Sequence, residues 1–352
     1  MEIVGQFIDA IREAGAQQKA LNIEGSGSKK FYGGVPAGTV LSTLAYTGII
    51  DYDPQELVLT ARAGTPLAEI QSTLAEAGQM LAFEPPRFGS GATLGGCIAA
   101  GLSGPRRPYL GAVRDAILGV RILDGRAQDL RFGGRVIKNV AGYDASRLMT
   151  GAMGTLGLLL DISLKVHPLP ASELTIAFDM NEEQAISQLN RWAGRALPLS
   201  ASCFYEGRAY IRLSGAASAV TQAHQTLGGD AAPNGNQFWR DIREHTHAFF
   251  NLKNEETLWR ISLPSTAPAL TSPGRQLIEW GGALRWLIST TAAEAIRSPV
   301  AALGGHATAF RGAKPASPFH PLSPGLLALH QRLKAVFDPE GVFNRGRLYA
   351  EF

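Results

Sequence analysis

The chain has 352 residues, 45% hydrophobic and 18% charged, which is typical of a globular protein long enough for two domains with sizeable cores. Its basic residues are scattered and its formal net charge is only +3, so composition gives no general case for nucleic-acid binding. Two cysteines far apart, Cys97 and Cys203, and an amphipathic N-terminus without signal-peptide character indicate a reducing compartment. No apolar run reaches the roughly 20 residues that span a bilayer. We therefore expect a cytoplasmic location, or a peripheral one at the inner face of the cell membrane through partners.

The first half of the sequence predicts mixed helices and strands. Residues 1–15 have the pattern of an amphipathic helix, and residues 56–64 have the apolar character of a strand. In residues 66–78, leucine and isoleucine recur at helical spacing, with proline near the start and glycine just past the last apolar position. A second helix is therefore predicted there.

The composition changes after the sequence HPLP at residues 167–170, where we place a domain boundary. A helix is predicted from Asn181, a residue type that caps helix N-termini. Apolar strands are predicted at residues 209–215 and 257–264. A last helix is expected to stop at Asp338, because proline follows it.

A glycine-rich turn follows an apolar segment at Gly25–Lys29. Consecutive backbone N–H groups in such a turn form a concave site for an anion, and serine hydroxyls and a lysine add donors and charge. This chemistry suits a diphosphate, and the alternative is a flexible surface turn. A Rossmann fingerprint would require glycine where Lys30 stands, and no GxxxxGK[ST] loop occurs.

A second glycine-rich segment, RFGSGATLGGCIAAGLSG, spans residues 87–104. Glycine is useful where the chain takes an unusual dihedral angle or where another group approaches the backbone closely. Cys97 lies in its apolar part, so we expect a structural thiol. We expect no metal site, because the cysteines are unpaired by spacing and His245 and His247 are more typical of solvated residues than of metal ligands.

Three stretches in order, residues 91–125, 138–170 and 337–349, resemble the flavin-binding domain of the vanillyl-alcohol oxidase type, also called PCMH-type. The whole chain resembles the smaller FAD-binding subunit of bacterial glycolate oxidases. The resemblance implies an α+β fold with a PCMH-type FAD-binding domain of two subdomains and a smaller α/β cap domain of the substrate type. The implied bounds are 1–170 for the FAD domain, split near residue 50, 171–335 for the cap, and 336–352 for a tail returning to the FAD domain.

The resemblance also implies which residues hold FAD. A side chain at Gly95 or Gly96 would take the room of a phosphate or ribose oxygen, and the absence of histidine from both glycine-rich loops implies that FAD is non-covalent. Lys138–Asp144 resembles a segment near the cofactor's substrate side, with a surface lysine as the alternative for Lys138. Asn344–Gly346 resembles the tail turn, where the family more often has proline in place of Arg345. The implied cofactor-binding residues are Gly25, Ser26, Gly27, Ser28, Lys29, Ala92, Thr93, Leu94, Gly95, Gly96, Ser103, Gly104, Gly111, Gly157 and Leu158.

The catalytic residues are less well defined. Related 2-hydroxyacid dehydrogenases carry a histidine-rich HxGDGNxxH stretch, whereas this chain has only His306 in LGGHATAF, which puts direct substrate oxidation in doubt. His306 is a candidate base, and Arg260 or Arg285 a candidate for holding a carboxylate. For each of them the alternative is a hydrogen-bonded or surface residue.

The resemblance implies an FAD-dependent oxidoreductase subunit that works with a larger homologous flavin subunit and an iron–sulfur subunit. The complex would oxidise glycolate to glyoxylate and pass electrons to a membrane acceptor. The alternatives are a self-sufficient FAD-dependent 2-hydroxyacid dehydrogenase and a scaffold subunit with a structural flavin. The second domain's aromatic residues are expected in its core or on a surface that docks partners: Trp239, Phe249, Phe250 and Trp259.

Overall fold

The computed structural model describes residues 2–134 and 144–352, so most of the Lys138–Asp144 segment, including Lys138, lies outside the described residues. The chain divides into two compact units. The first comprises Met1–Ser103, Ala112–Leu169 and Pro321–Phe352, and the second comprises Gly104–Gly111 and Pro170–His320. Residues 321–335 were expected in the second domain and belong to the first unit, and 104–111 belong to the second.

Helices and strands alternate irregularly along the described residues. The α-helices are α1 Glu2–Ala16, α2 Leu67–Glu76, α3 Leu94–Ala100, α4 Arg107–Leu110, α5 Val113–Ala116, α6 Glu182–Ala193, α7 Ala217–Leu227, α8 Gly235–Glu244, α9 Ala293–Ala302 and α10 Pro324–Phe337. The strands are β1 Leu21–Glu24, β2 Thr39–Ser42, β3 Ile49–Asp53, β4 Val58–Arg62, β5 Gln79–Met80, β6 Ile117–Leu123, β7 Asp129–Gly133, β8 Leu158–Lys165, β9 His167–Pro168, β10 Ser172–Asp179, β11 Leu199–Tyr205, β12 Arg208–Gly215, β13 Asp230–Ala231, β14 Thr257–Ser262, β15 Arg275–Glu279, β16 Leu284–Ser289 and β17 His306–Gly312. Short 3₁₀ turns are Ser146–Met149, Ala248–Phe250 and Trp280–Gly282.

In the first unit, an antiparallel sheet in the order β3-β4-β8-β6-β7 forms the larger layer, and β1 and β2 pair in parallel beside it. Successive residues of a strand point to opposite faces. Leu59 and Ala61 of β4 therefore face one way, where they share a core cluster with Leu67 and Ile70 of α2 and with Ile98 of α3. This packing fixes the start of α3, which carries part of the site described below.

A second core cluster of the first unit holds α1 and the C-terminal tail. Phe7 and Ile11 of α1 are buried with Leu21 of β1 and with Val342 and Phe343 of the tail. The Leu21 N–H donates to the Val342 carbonyl at 2.7 Å, and the Asn344 N–H donates to the Leu21 carbonyl at 2.9 Å. The tail thus runs along β1 and reaches the segment that follows it.

The second unit contains an antiparallel sheet that, over the described residues, has the order β13-β10-β12-β11-β15-β16-β14-β17. Helices cover it through apolar clusters, one of which joins Trp259 and Ile261 of β14 to Ile296 and Val300 of α9. The four aromatic residues considered for docking are at most 4% exposed and belong to the core: Trp239, Phe249, Phe250 and Trp259. Most of the exposed large apolar side chains lie in the first unit, for example Leu326, Leu329 and Val336 of α10.

The predicted helix signals are confirmed at three helices. α2 begins after Pro66 and ends before Gly78. Asn181 caps α6: its side chain accepts a hydrogen bond from the Gln184 N–H, and the Gln184 side chain accepts one from the Asn181 N–H. α10 ends at Phe337, as the Asp-Pro pair predicts. Across the described part of the chain, no helix combines the length and apolar character needed to cross a bilayer.

Candidate functional site

The first unit contains a cavity of about 430 Å³, a size typical of small-molecule sites. It lies where the end of β1, the glycine loop after it, the first turns of α3 and the C-terminal tail meet. The lining residues are Asn22, Ile23, Glu24, Gly25, Ser26, Gly27, Ser28, Lys29, Lys30, Val35, Pro36, Thr93, Gly96, Ala99, Ala100, Met153, Asn344 and Arg347.

The glycine loop, residues 25–28, presents its backbone to this cavity. Within the described part of the chain, the N–H groups of Gly25, Ser26 and Gly27 donate to no protein acceptor. Gly27 has φ of 73°, in the left-handed region that favours glycine. A Cβ on Gly25 would lie 2.5 Å from Thr93 Oγ1, so the loop approaches α3 as closely as a bare backbone allows. This arrangement is a backbone nest for an anion.

The charges around the loop are mainly positive. Lys29 is buried, and its Nζ lies 3.4 Å from both Ser28 Oγ and the Arg87 carbonyl oxygen. Lys30 pairs with Glu24 at 2.8 Å, which neutralises the carboxylate that lines the cavity. Arg347 adds a guanidinium. The electrostatic balance therefore favours a negatively charged ligand.

The start of α3 contributes Thr93 and Gly96 to the cavity, whereas the residues between them face the core. Thr93 caps the helix, its Oγ1 accepting a hydrogen bond from the Gly96 N–H at 3.3 Å. The N–H groups of Leu94 and Gly95 donate to the carbonyls of Thr65 and Ala63 at 2.9 and 2.7 Å. They are therefore not available to a ligand.

Glycine is needed at position 95 because of packing within the protein, and not because of a cofactor oxygen as the resemblance implied. A Cβ there would lie 2.8 Å from the Ala63 Cβ and 3.0 Å from the Ala63 carbonyl oxygen. The helix thus packs directly on the chain after β4. At Gly96, by contrast, the nearest group to an added Cβ is Thr93 Oγ1 at 3.2 Å, and the residue lines the cavity.

Other residues expected around the cofactor do not line this cavity. Ala92 is buried in the first core cluster, and Ser103 Oγ accepts from the Val113 N–H at 3.0 Å. Gly157 packs against β6, where an added Cβ would lie 3.0 Å from the Leu123 carbonyl oxygen. Leu158 begins β8 in the second core cluster. Gly104 and Gly111 belong to the second unit.

Several lining residues were not singled out from the sequence. Ala99 and Ala100 lie one helical turn after Gly96, so the helical period of α3 could have indicated them. Met153 and Arg347 come from distant parts of the chain, and no local pattern brings them to the glycine loop. The sequence indicates Asn344 only as part of the tail turn.

The tail turn closes one side of the cavity through Asn344, which is 3% exposed and has φ of 45°. Its Oδ1 accepts from the Ile23 N–H at 2.7 Å, and its Nδ2 donates to the Met153 carbonyl at 2.6 Å. Asparagine tolerates the left-handed region better than most residues. The side chain therefore joins the tail to β1 and to the segment before β8.

In the second unit, the three candidate catalytic residues differ in accessibility. His306 is exposed at the start of β17, and its pKa is lowered by desolvation and by the positive charges of Arg260 and His320. Arg260 is half-buried on β14, over the ring of Trp280 at 5.3 Å. Arg285 is fully buried and donates to the carbonyls of Gly282, Ala267 and Pro268. Arg285 is therefore a structural residue and cannot hold a substrate carboxylate.

The other reactive side chains are enclosed. Cys97 and Cys203 are buried free thiols, and burial raises the pKa of Cys97 to about 11. His245 is half-buried: its ring stacks on Phe250 at 3.9 Å, and desolvation with the nearby Arg311 lowers its pKa. Among residues 2–134 and 144–352, no cluster of three or more His, Cys, Asp or Glu side chains could hold a metal ion.

Comparison with known proteins agrees with the fold. Residues 2–133 match the family model described as FAD binding domain. A solved structure of alkyldihydroxyacetonephosphate synthase superposes with a TM-score of 0.66 at 14% identity, covering 96% of this chain and 74% of that one, which shows a shared fold. The chain therefore contains an FAD-binding domain and shares the fold of that synthase.

Two relatives define the family more closely. The chain is 48% identical to the glycolate oxidase subunit GlcE of Escherichia coli, over 98% of this chain and 97% of that protein. It is 31% identical to the glycolate oxidase subunit GlcD of Bacillus subtilis, and the matched region covers 43% of this chain and 33% of that protein. The chain belongs to the family of the glycolate oxidase subunit GlcE.

The residues of the cavity fit part of an FAD molecule. The amides of Gly25, Ser26 and Gly27, which have no acceptor within the described residues, are the kind of donor that a diphosphate needs, as are the hydroxyls of Ser26 and Ser28 and the cation of Lys29. A Cβ on Gly25 would lie 2.5 Å from Thr93 Oγ1, so only glycine allows this close contact between the two walls of the cavity. Apolar groups such as Val35 and Met153 complete the wall.

Proposed function

We propose that this chain is the FAD-binding subunit of a multi-subunit glycolate oxidase, which oxidises glycolate to glyoxylate. The observation that carries the proposal is the 48% identity to GlcE along nearly the whole length of both chains. The glycine-loop cavity supports it because it offers a site for the diphosphate of the cofactor.

The residues proposed to hold FAD are those that line the cavity with donors or bare backbone. The glycine loop would supply amides to the diphosphate, and Lys29 would balance its charge. Thr93 and Gly96 would form the opposite wall. When bound, FAD supplies the two-electron acceptor that oxidation of an alcohol carbon needs. We propose His306 as the group that takes a proton and Arg260 as the group that holds a carboxylate. Because the pKa of His306 is lowered, its imidazole stays neutral and can accept a proton.

We propose that FAD is held non-covalently. No histidine, cysteine or tyrosine occurs among the described residues that line the cavity, so this wall offers no usual attachment point for a flavin. Acid precipitation of the purified yellow chain is therefore expected to leave the flavin in the supernatant, measured by its absorbance. Flavin that stays with the pellet would contradict this prediction.

The proposed electron path leaves the chain through partners. An iron–sulfur cluster usually takes four cysteine thiolates, and this chain has two cysteines, both of them buried. We therefore propose a larger homologous flavin subunit and an iron–sulfur subunit as partners, with a membrane acceptor beyond them. Free buried thiols agree with the proposed cytoplasmic location.

The test compares the isolated chain with the reconstituted complex. The FAD-loaded chain is assayed with glycolate and an artificial electron-accepting dye, and the two partner subunits are then added. We expect no useful turnover from the isolated chain, because it has one histidine where related dehydrogenases have a cluster, and turnover once the complex forms.

The same assay separates the alternative functions. Strong turnover by the isolated chain would favour a self-sufficient 2-hydroxyacid dehydrogenase. An active complex in which a reduction titration leaves this chain's flavin oxidised would favour a scaffold with a structural flavin. Failure of the chain to associate with either partner would contradict the subunit proposal.

A further inference from the structure

Arg347 of the tail binds the main chain immediately after the glycine loop. Its Nη2 donates to the Lys29 carbonyl at 2.9 Å, and its Nη1 donates to the carbonyls of Gly34 and Lys30 at 2.7 and 3.3 Å. One guanidinium therefore donates hydrogen bonds to three carbonyls of the segment that follows the proposed diphosphate site.

The contact is reciprocal and tightly fitted. The Gly34 N–H donates to the Arg347 carbonyl at 2.9 Å. A Cβ on Gly34 would lie 2.2 Å from the Gly346 carbonyl oxygen, so the two backbones touch where only glycine fits. The tail itself is fixed to β1 and to Met153 by Asn344. Arg347 thus connects the glycine loop to an anchored part of the fold.

Besides Arg347, the loop is held by a turn of its own and by its flanking lysines, of which Lys29 has its Nζ 3.4 Å from the Arg87 carbonyl oxygen. The Lys30 N–H donates to the Gly27 carbonyl at 2.9 Å, which closes a single turn. Among residues 2–134 and 144–352, the amides of Ser26 and Gly27 have no protein acceptor that would hold the loop in place. Consecutive amides bind an anion only while they converge on one point. The guanidinium holds the end of this turn together with Tyr32, whose N–H donates to the same Lys29 carbonyl at 3.0 Å, and with the Lys30–Glu24 pair at 2.8 Å.

We propose that Arg347 is a positioning residue for the cofactor, holding the glycine loop in the conformation that binds the diphosphate. This inference rests on the proposed function. Arginine suits the role because its rigid fork reaches several carbonyls at once, whereas a lysine ammonium is a point charge on a flexible stem. Burial lowers the pKa of Arg347, with Glu24 opposing the shift, and an arginine guanidinium stays charged in proteins.

The test uses Arg347→Ala and Arg347→Lys, with Arg345→Ala as the matched control. Arg345 lies on the same tail, but its guanidinium donates to the carbonyls of Gly341 and Glu340, outside the loop. Affinities for FAD and for ADP, which keeps the diphosphate without the flavin ring, are measured by titration. Hydrogen exchange of residues 24–34 is followed in the cofactor-free chain, and thermal unfolding reports the fold.

Both Arg347 variants are expected to bind FAD and ADP about 10- to 100-fold more weakly, with faster exchange at residues 24–34, since charge-assisted hydrogen bonds are lost. Arg345→Ala should match the unmodified chain. Full affinity in Arg347→Lys would overturn the proposal, because charge alone would then suffice, as would unchanged affinity in Arg347→Ala. An unmodified chain that binds neither ligand would overturn the proposed function together with this inference.

Discussion

Gly27→Asp is expected to give a folded chain that no longer retains FAD. Gly27 has φ of 73°, a conformation that aspartate adopts more readily than most residues. The new Cβ would lie 2.8 Å from Lys30 Cε, and the flexible end of that side chain can shift to make room. The new carboxylate would lie in a loop proposed to bind a diphosphate. Two like unit charges about 4 Å apart near a protein surface repel by roughly 4 kcal/mol. We therefore expect FAD affinity to fall by roughly 100- to 1000-fold, measured by titration of the cofactor-free chain.

Gly27→Asn is the control for this variant. Asparagine has nearly the shape of aspartate and tolerates the same dihedral angles, but it adds no charge. It should lose about tenfold in affinity at most. Equal losses in the two variants would mean that space, not charge, decides binding at this position. Normal FAD content in Gly27→Asp would place the diphosphate elsewhere.

The fold could be predicted from the sequence where local signals decide it. The apolar period and flanking proline and glycine bound α2, and Asn181 marks the start of α6, because caps and breakers act within a few residues. The limits of the two units could not be predicted in the same way. Residues 104–111 and 321–335 are assigned by long-range packing, which leaves no local pattern.

The sequence likewise predicts only those parts of the candidate site that are built from neighbouring residues. The glycine loop at residues 25–28 was found because an anion nest is built from neighbouring residues. Asn344 and Arg347 reach that loop from the other end of the chain, so only the fold reveals their contacts. Arg285 is a residue that the sequence suggested for substrate binding and that the structure places in the core. A sequence alone does not distinguish a guanidinium that binds substrate from one that binds backbone carbonyls.

Gly95 and Gly96 are adjacent glycines that the sequence could not tell apart, and the structure predicts opposite results for them. Gly95→Val is expected to destabilise the fold, because its Cβ would lie 2.8 Å from Ala63 Cβ and would push α3 away from the chain after β4. Overpacking of a close-packed core costs about 1 to 3 kcal/mol and occasionally more. We expect a lower unfolding temperature even in the cofactor-free chain, with FAD lost only as the fold is lost.

Gly96→Val is expected to keep the fold and lose the cofactor. Its Cβ would meet only Thr93 Oγ1, at 3.2 Å, and the added methyl groups would enter the cavity. Valine is also no worse than glycine in a helix, so helix propensity does not oppose the substitution. Unfolding temperature and FAD content, measured on both cofactor-free and loaded chains, separate the two variants. A Gly95→Val chain as stable as the unmodified one, or a Gly96→Val chain with full FAD affinity, would show that α3 presents a different face to the cofactor.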